Sequence, residues 1–329
     1  MRKNFLGAAV VFFTVSLLLG LSLKVEASDV VTIKAVMAWP ETYTSNGGFK
    51  DWVNRVNEQG KGKVVVKVIG GPEAVPVFEQ LGALKRGVVD VVNTAAAYYM
   101  ATIPEAEAFG LSRLSPEEER SKGFYDIMAD AHKPHGLMYL GRMQGVAPLG
   151  VLCVKKEITK PKDLVGLKIR SVPIYDAFLK ELGAVPVTIP VPEIYTALER
   201  GVVDGFIQPL AGGFTSLGFH EVVKYIVNHY FYQLPGTALF NLDYWNKLPA
   251  DTRDLLISTT KETERMVATY FMALHDGEIQ KAQKAGVKLI DFSKDDASWF
   301  IDTAYRTGWE NLLKKSPQVG PKLRAVSTK

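Results

Sequence analysis

Apolar and polar positions change period along this chain in a way that spells out alternating strands and helices. Val31-Thr32-Ile33-Lys34-Ala35-Val36-Met37 reads as a first strand and runs into Trp39-Pro40 and a polar loop. Phe49, Trp52, Val53 and Val56 then recur at helical spacing within 49–59, and 63–69 alternates as a strand that stops at Gly70-Gly71-Pro72. That is one βαβ unit. Further on, Ser115-Pro116 followed by Glu117, Glu118 and Glu119 marks a helix start with acids in its first turn. The stretch 136–154 is strand-rich. Beyond it the alternation resumes, with strands over 167–172, 185–189 and 202–207 and helices over 175–182 and 191–199. From 251 to 285 the pattern predicts one long helix without internal proline, then a short strand near 287–292 and a helix over about 295–314.

One phrase occurs twice. Ala83-Leu84-Lys85-Arg86-Gly87-Val88-Val89-Asp90 and Ala197-Leu198-Glu199-Arg200-Gly201-Val202-Val203-Asp204, 114 positions apart (197 minus 83), agree at seven of eight positions. Each copy follows an amphipathic stretch and precedes a small or apolar run, so each predicts a helix, a Gly C-cap and a buried strand. One copy per lobe, with alternating βα units, predicts two α/β lobes built on mainly parallel sheets with covered faces. The expected architecture is a bilobed α/β protein with a hinge, its long C-terminal helices bracing both lobes. The first lobe takes 28–148 plus about 235–275, and the second takes 149–234 plus about 276–329, with the chain crossing near 148, 235 and 275.

The leader alters the count of what must fold. Arg2 and Lys3 precede an apolar stretch over 5–23, and Val25-Glu26-Ala27 puts small residues where signal peptidase cuts, so 1–27 reads as a signal peptide with Ser28 as the mature start. The mature chain is then periplasmic, and at about 300 residues it exceeds what one hydrophobic core usually serves. Losing Arg2, Lys3, Lys24 and Glu26 takes the formal charge from +4 to +2, which excludes a nucleic-acid or polyanion partner as the expected one. Cys153 is the single cysteine and lies in an apolar run, so no intramolecular disulfide forms and a buried thiol is expected.

Catalytic and cofactor motifs do not emerge. There is no G-x-G-x-x-G, Walker loop, H-E-x-x-H, G-x-S-x-G or C-x-x-C. His132 and His135 have H-x-x-H spacing with Pro134 between them, which reads as a solvent-facing helix end and not a zinc site. Glu117, Glu118 and Glu119 read as a solvated first turn, and His220 and His229 as core or hydrogen-bonding residues. Neither a metal nor a cofactor is expected.

Specificity comes from an ordered set of short motifs: Gly70-Gly71-Pro72-Glu73, Gly87-Val88-Val89-Asp90, Pro161-Lys162-Asp163-Leu164, Gly166-Leu167-Lys168-Ile169-Arg170, Pro192-Glu193 through Val203-Asp204-Gly205, and Glu221-Val222-Val223-Lys224-Tyr225 with the later His229. Together they cover nearly all of the mature chain, which resembles the DctP-like solute-binding subunits of tripartite ATP-independent periplasmic (TRAP) transporters. The resemblance implies a non-enzymatic binding subunit, monomeric, that hands an organic acid to small and large membrane subunits of a permease. It also implies that Arg170 grips the solute carboxylate, for which a planar guanidinium is suited. Gln208 stands before Pro209 where the family usually has Asn, and Gly150 stands where sialic-acid-type members carry a second Arg. Expected ligand contacts are Arg170, Gln208, Trp39, Glu73, Thr94, Tyr98, Pro173, Phe214 and Phe231. Tyr43, Tyr99, Tyr175 and Tyr232 belong to the same aromatic set, about half of which should be core. A single clamp among rings favours an apolar or aromatic monocarboxylate. The alternatives are a C4-dicarboxylate or sugar acid in the same fold, or an exported enzyme acting on a carboxylate, which would need a base or nucleophile beside Arg170.

Overall fold

The computed structural model describes residues 30–145 and 148–327, so the leader read at 1–27 lies outside the described residues. Among the described residues twelve strands appear, in the order β1 (Val31–Met37), β2 (Val64–Val68), β3 (Val91–Ala95), β4 (Leu137–Arg142), β5 (Pro148–Val154), β6 (Lys168–Ser171), β7 (Val185–Thr188), β8 (Gly205–Pro209), β9 (Tyr225–Val227), β10 (Phe231–Gln233), β11 (Gly236–Asn241) and β12 (Lys288–Ile290). They form a sheet of order β2-β1-β3-β11-β4 and a second of order β12-β9-β5-β8-β6-β7, with β10 paired to β5. Each sheet is the centre of one α/β lobe. The chain passes from the first to the second between β4 and β5, returns between β10 and β11, and reaches β12 along the helix Ala250–Lys284.

The sheets are mixed, where the alternating pattern predicts mainly parallel ones. β1 runs parallel to β2 and β3, and β6 parallel to β7 and β8, as βαβ units require. The strands next to the crossings run the other way: β11 is antiparallel to β3 and β4, and β5 is antiparallel to β8, β9 and β10. These strands enter from the other lobe, so no crossover helix sets their direction.

The duplicated phrase does one structural job twice. Gly87 and Gly201 hold φ of +72° and +70° just past a helix end. Val88 and Val202 donate back to the carbonyls of Ala83 and Ala197 at 3.0 and 2.9 Å, and the two glycines donate to Leu84 and Leu198 at 3.0 Å each. This is the paired closure that terminates a helix through a left-handed residue. Asp90 and Asp204 then accept from the backbone N–H of Lys34 and Lys168 at 2.7 and 2.9 Å, fastening the turn to the neighbouring strand. Because the turn takes up Val202 and Val203, β8 starts at Gly205 and not at 202.

Both long C-terminal helices grip both lobes. Near its start, Ala250–Lys284 packs on Gly47–Gln59, where Trp52 Nε1 donates to Leu256 O at 3.4 Å and Thr263 Oγ1 to Asp51 at 2.8 Å. Near its end, Glu278 accepts from Thr215 N and Oγ1 at 2.7 Å each in the second lobe. The helix Lys294–Lys315 sets Phe300 on Phe178 (4.9 Å between ring centres) in the second lobe, while Asn311 donates to both Glu107 oxygens, at 2.9 and 2.6 Å, in the first.

Two polar readings of the sequence are corrected here. Glu119 is not a solvated first-turn acid: it is 2% exposed and faces Arg142 at 3.6 Å, beside Arg120, whose Nε and Nη2 bind Glu264 at 2.6 and 2.9 Å. The helix Pro116–Ser121 turns that face inward against β4 and Ala250–Lys284, so the charges must pair. His132 is not solvent-facing either. It is fully buried, within 2.6 Å of Met128 O and 3.2 Å of the Tyr99 hydroxyl, and burial pushes its pKa down to about 4.

Burial pushes the Glu107 carboxyl up to about 7 against the opposing pull of Asn311. The folded pKa thus lies above the unfolded value of about 4.3, so the native state holds this proton, and the stability it contributes is full below about 4.3 and lost as pH rises through about 7. Glu107→Gln keeps an acceptor for Asn311 without the charge. In urea titrations it should be more stable than the parent at pH 8 by about 3 to 4 kcal/mol, with the gap closing towards pH 5. The difference between variant and parent isolates Glu107, since Glu119 is also pushed up to about 7 and His132 down. A gap that does not change with pH would sink the assignment.

Candidate functional site

Arg170 lies on β6 and Gln208 on β8, near the carboxyl ends of parallel neighbours, the edge at which open α/β sheets usually receive ligands. Opposite them stand Trp39, two residues past β1, and Ala95, Ala97 and Tyr98, at and just after the end of β3 in the other lobe. Between the lobes is a cavity of about 50 Å³, walled also by Tyr43, Tyr175, Val191 and Gln144.

The Arg170 guanidinium is locked by backbone carbonyls. Its Nε donates to Ile189 O at 2.7 Å and its Nη1 to Ile207 O at 3.1 Å, which fixes the plane of the group. Its Nη2 is buried without a partner. Arg170 is 2% exposed, and burial pushes its pKa down, opposed by Tyr98, Tyr43 and Tyr175. Among the described residues no Asp or Glu lines this cavity, so the cation has no counter-ion there. Arg142, equally buried, has Glu119.

Gln208 gives its amide to the Tyr43 hydroxyl, which leaves its Oε1 buried and unpartnered. That bond joins the lobes, as does Thr44 Oγ1 to Ala211 O at 2.6 Å. Gly212 is required here, because a Cβ would strike the Tyr43 hydroxyl. Burial raises the pKa of Tyr43, Tyr98 and Tyr175, so these phenols stay neutral hydrogen-bonding groups in the physiological range. The chemistry on offer is therefore a fixed guanidinium, one spare amide oxygen, neutral phenols, the Ser45 residue and ring faces, with no His, Cys, Lys, Asp or Glu among the described walls.

Of the residues singled out in the sequence, the fold brings Arg170, Gln208, Trp39, Tyr98, Tyr43 and Tyr175 to one cavity. Glu73 is elsewhere: it is exposed and accepts from its own loop, Gly71 N, at 2.5 Å. Thr94 is buried in β3 one residue before Ala95, and the strand's alternation sends it to the other face. Pro173 opens a short turn whose neighbours Val172, Ile174 and Tyr175 supply the wall. Phe214 packs with Phe206 and Phe219, and Phe231 with Phe178 and Phe300, so both are core. Tyr99 and Tyr232 are core as well, the one against His132 and the other stacked behind Tyr175 at 5.8 Å. Gln144 and Ser45 were missed. Gln144 Nε2 donates to Ser45 O at 2.7 Å beside the crossing strands, and no sequence signal marks either residue. At Gly150 a Cβ would collide with Phe231 O of the paired strand, so no side chain fits there.

Comparison with known proteins identifies the family and the fold. The family described as bacterial extracellular solute-binding protein, family 7, matches residues 35–315. A monocarboxylate 2-oxoacid-binding periplasmic protein of Nostoc sp. is 25% identical over 276 residues, 78% of this chain and 73% of that protein. A C4-dicarboxylate-binding periplasmic protein of Rhodobacter capsulatus is 27% identical over 327 residues, 95% of this chain and 92% of that protein. The crystal structure of a TRAP periplasmic solute-binding protein from Desulfovibrio salexigens with bound orotic acid superposes with a TM-score of 0.81 at 21% identity, covering 90% of this chain and 97% of that one.

A cation buried without an anion is a stability cost to the fold. Arg170→Met, which fills similar space without the charge, should therefore melt at or above the parent's temperature when no ligand is present, and should show no rise with any carboxylate that stabilises the parent. A marked drop in the ligand-free melting temperature would mean that Arg170 is chiefly structural.

Proposed function

Because the chain belongs to family 7 of the bacterial extracellular solute-binding proteins, the DctP-like solute-binding subunits of TRAP transporters, we propose that it captures an apolar or aromatic monocarboxylate with the acid group on Arg170 and delivers it to the membrane subunits of a permease. Proteins of this family are extracytoplasmic binding subunits for organic acids. The observation that carries the finer reading is the buried Arg170 guanidinium, with a free Nη2 and no carboxylate among its cavity walls. A ligand carboxylate completes that pairing.

Relatives do not choose between solutes, since one is named for monocarboxylate 2-oxoacids and another for C4-dicarboxylates. Three features of this chain favour a single carboxylate. Arg170 is the one cation among the described cavity walls, Gly150 has no room for a second, and Trp39, Tyr43, Tyr98 and Tyr175 give the body of the ligand ring faces. A second carboxylate or a row of hydroxyls would be left against those rings at about 1 to 3 kcal/mol for each buried unpaired group. In this reading the two lobes hinge along the crossing segments, the ligand is enclosed on closure, and the leader over 1–27 is removed on export.

Calorimetric titration of the mature protein should rank aromatic and branched-chain acids, including 2-oxo forms, above succinate, malate and hexuronates. Tight binding of a C4-dicarboxylate or a sugar acid, with silence towards aromatic acids, would reverse the assignment. Arg170→Ala should cost the bound acid about 3 to 5 kcal/mol, roughly a hundred- to several-thousand-fold in Kd. Solution scattering should report a smaller radius of gyration with saturating ligand, and an unchanged radius would count against hinge closure. N-terminal sequencing of the periplasmic protein should begin at or near Ser28.

A further inference from the structure

The inner cavity is small for the ligand class proposed. At about 50 Å³ it has room for the acid group and the first few atoms attached to it, well short of the usual few-hundred-Å³ organic-ligand site. Next to it lies a second compartment of about 340 Å³. Tyr98 and Val191 wall both spaces, so they are neighbours across a partition of two side chains. The outer compartment is made by both lobes, with Pro72, Pro76 and Phe78 from the first and Pro190 and Pro192 from the second.

An aromatic path runs from one space to the other. Trp39 meets Tyr98 edge-on at 6.3 Å, and Tyr98 meets Phe78 edge-on at 5.5 Å and 89°. Phe78 is 45% exposed, a large apolar surface at the lip of a cleft with no core role to account for it. The charges are one-sided. Glu79 and Glu193, one from each lobe, line the outer compartment, and among the described residues no Lys or Arg does.

We infer that this outer compartment is a second subsite of the same cleft, which takes the apolar tail of a carboxylate anchored at Arg170 and rejects tails that end in a second negative charge. The inference rests on the reading of Arg170 as carboxylate anchor. Tyr98 and Val191 act as the partition past which the tail threads. The proline-rich lips of both lobes close over it, and Phe78 covers its outer end. A terminal carboxylate there would face Glu79 and Glu193 without a cation, a like-charge arrangement that disfavours ionisation or binding. The solute class is thus narrowed to extended monocarboxylates with an uncharged distal end.

The test is a length series measured by calorimetry on the mature protein: benzoate, 3-phenylpropanoate, 5-phenylpentanoate, and an α,ω-dicarboxylate of matching length. Affinity should rise along the series by about four-fold for each additional buried methylene. Phe78→Ala should lower the ratio of long-acid to short-acid affinity by about ten-fold, the order expected for the loss of one ring face together with its buried area. The dicarboxylate should bind more weakly than the equally long monocarboxylate, and the double change Glu79→Gln with Glu193→Gln should narrow that gap. Equal affinities along the series, or a Phe78→Ala loss shared equally by short and long acids, would overturn the outer subsite. If short acids still bind in an Arg170-dependent way, that failure leaves the anchor standing. Binding that survives Arg170→Ala, or no binding by any acid of the series, would overturn the anchor and the subsite together.

Discussion

A guanidinium taken out of water costs several kcal/mol unless an anion meets it, and Arg170 is 2% exposed with two backbone carbonyls on it and no carboxylate among the described walls of its cavity. The rest of the cleft can be understood from that imbalance. Carbonyls of Ile189 and Ile207 satisfy Nε and Nη1 and fix the plane, but being neutral they do not cancel the charge. The fold can tolerate such a group because large hydrophobic clusters surround it, the largest of them running through both lobes. Arg142 makes the contrast: equally buried, it faces Glu119 at 3.6 Å, while Arg120 and Glu264 form a paired bridge alongside. One buried arginine faces a carboxylate of the protein, and the other has none among the described walls of its cavity.

The duplicated phrase, the plainest feature of the sequence, turns out to be scaffold. Asp90 and Asp204 each accept the amide of the lysine that stands on the adjoining strand, after a left-handed glycine has stopped a helix. Neither copy reaches the cavity. Its effect is indirect: by fixing how β3 follows its helix in one lobe and how β8 follows in the other, it sets the strands that carry Ala95 and Gln208 to the cleft. A repeated motif can thus mark a repeated architecture while the chemistry lies on residues that occur once.

Elements with a strong local cause were legible in the sequence. The helix over 49–59, the glycine stops and the long proline-free helix each depend on periodicity or on one residue's backbone freedom, and neighbours hardly alter them. That Arg170 and Gln208 share one cavity was legible through motif order. What was not legible depends on partners distant in the chain. Phe214 and Phe231 look like Tyr98 and Tyr175 in sequence, and only the packing of Phe206, Phe219, Phe178 and Phe300 around them makes them core. Glu119 reads as a surface acid until β4 delivers Arg142 to it. The antiparallel strands at the crossings carry no signature at all, because their direction is set by which lobe the chain has just left.

The cavity walls belong to different lobes, and this bears on how a solute could drive closure. Trp39, Tyr43 and Tyr98 come from the first lobe, whereas Arg170, Tyr175 and Gln208 come from the second, joined by the bond from Gln208 to Tyr43. A ligand shifts an equilibrium between open and closed forms only by binding one of them better. In the proposed hinge, the carboxylate can pair with Arg170 in either form, since Ile189 and Ile207 hold that group within a single lobe. The charge pair alone therefore gives capture but little preference for closure. The differential term must come from the other lobe's rings, which touch the body of the ligand only when the cleft is shut. On the proposed reading anchor and selector are separable: Arg170 sets that the solute is an acid, and the rings facing it set which acids can close the protein.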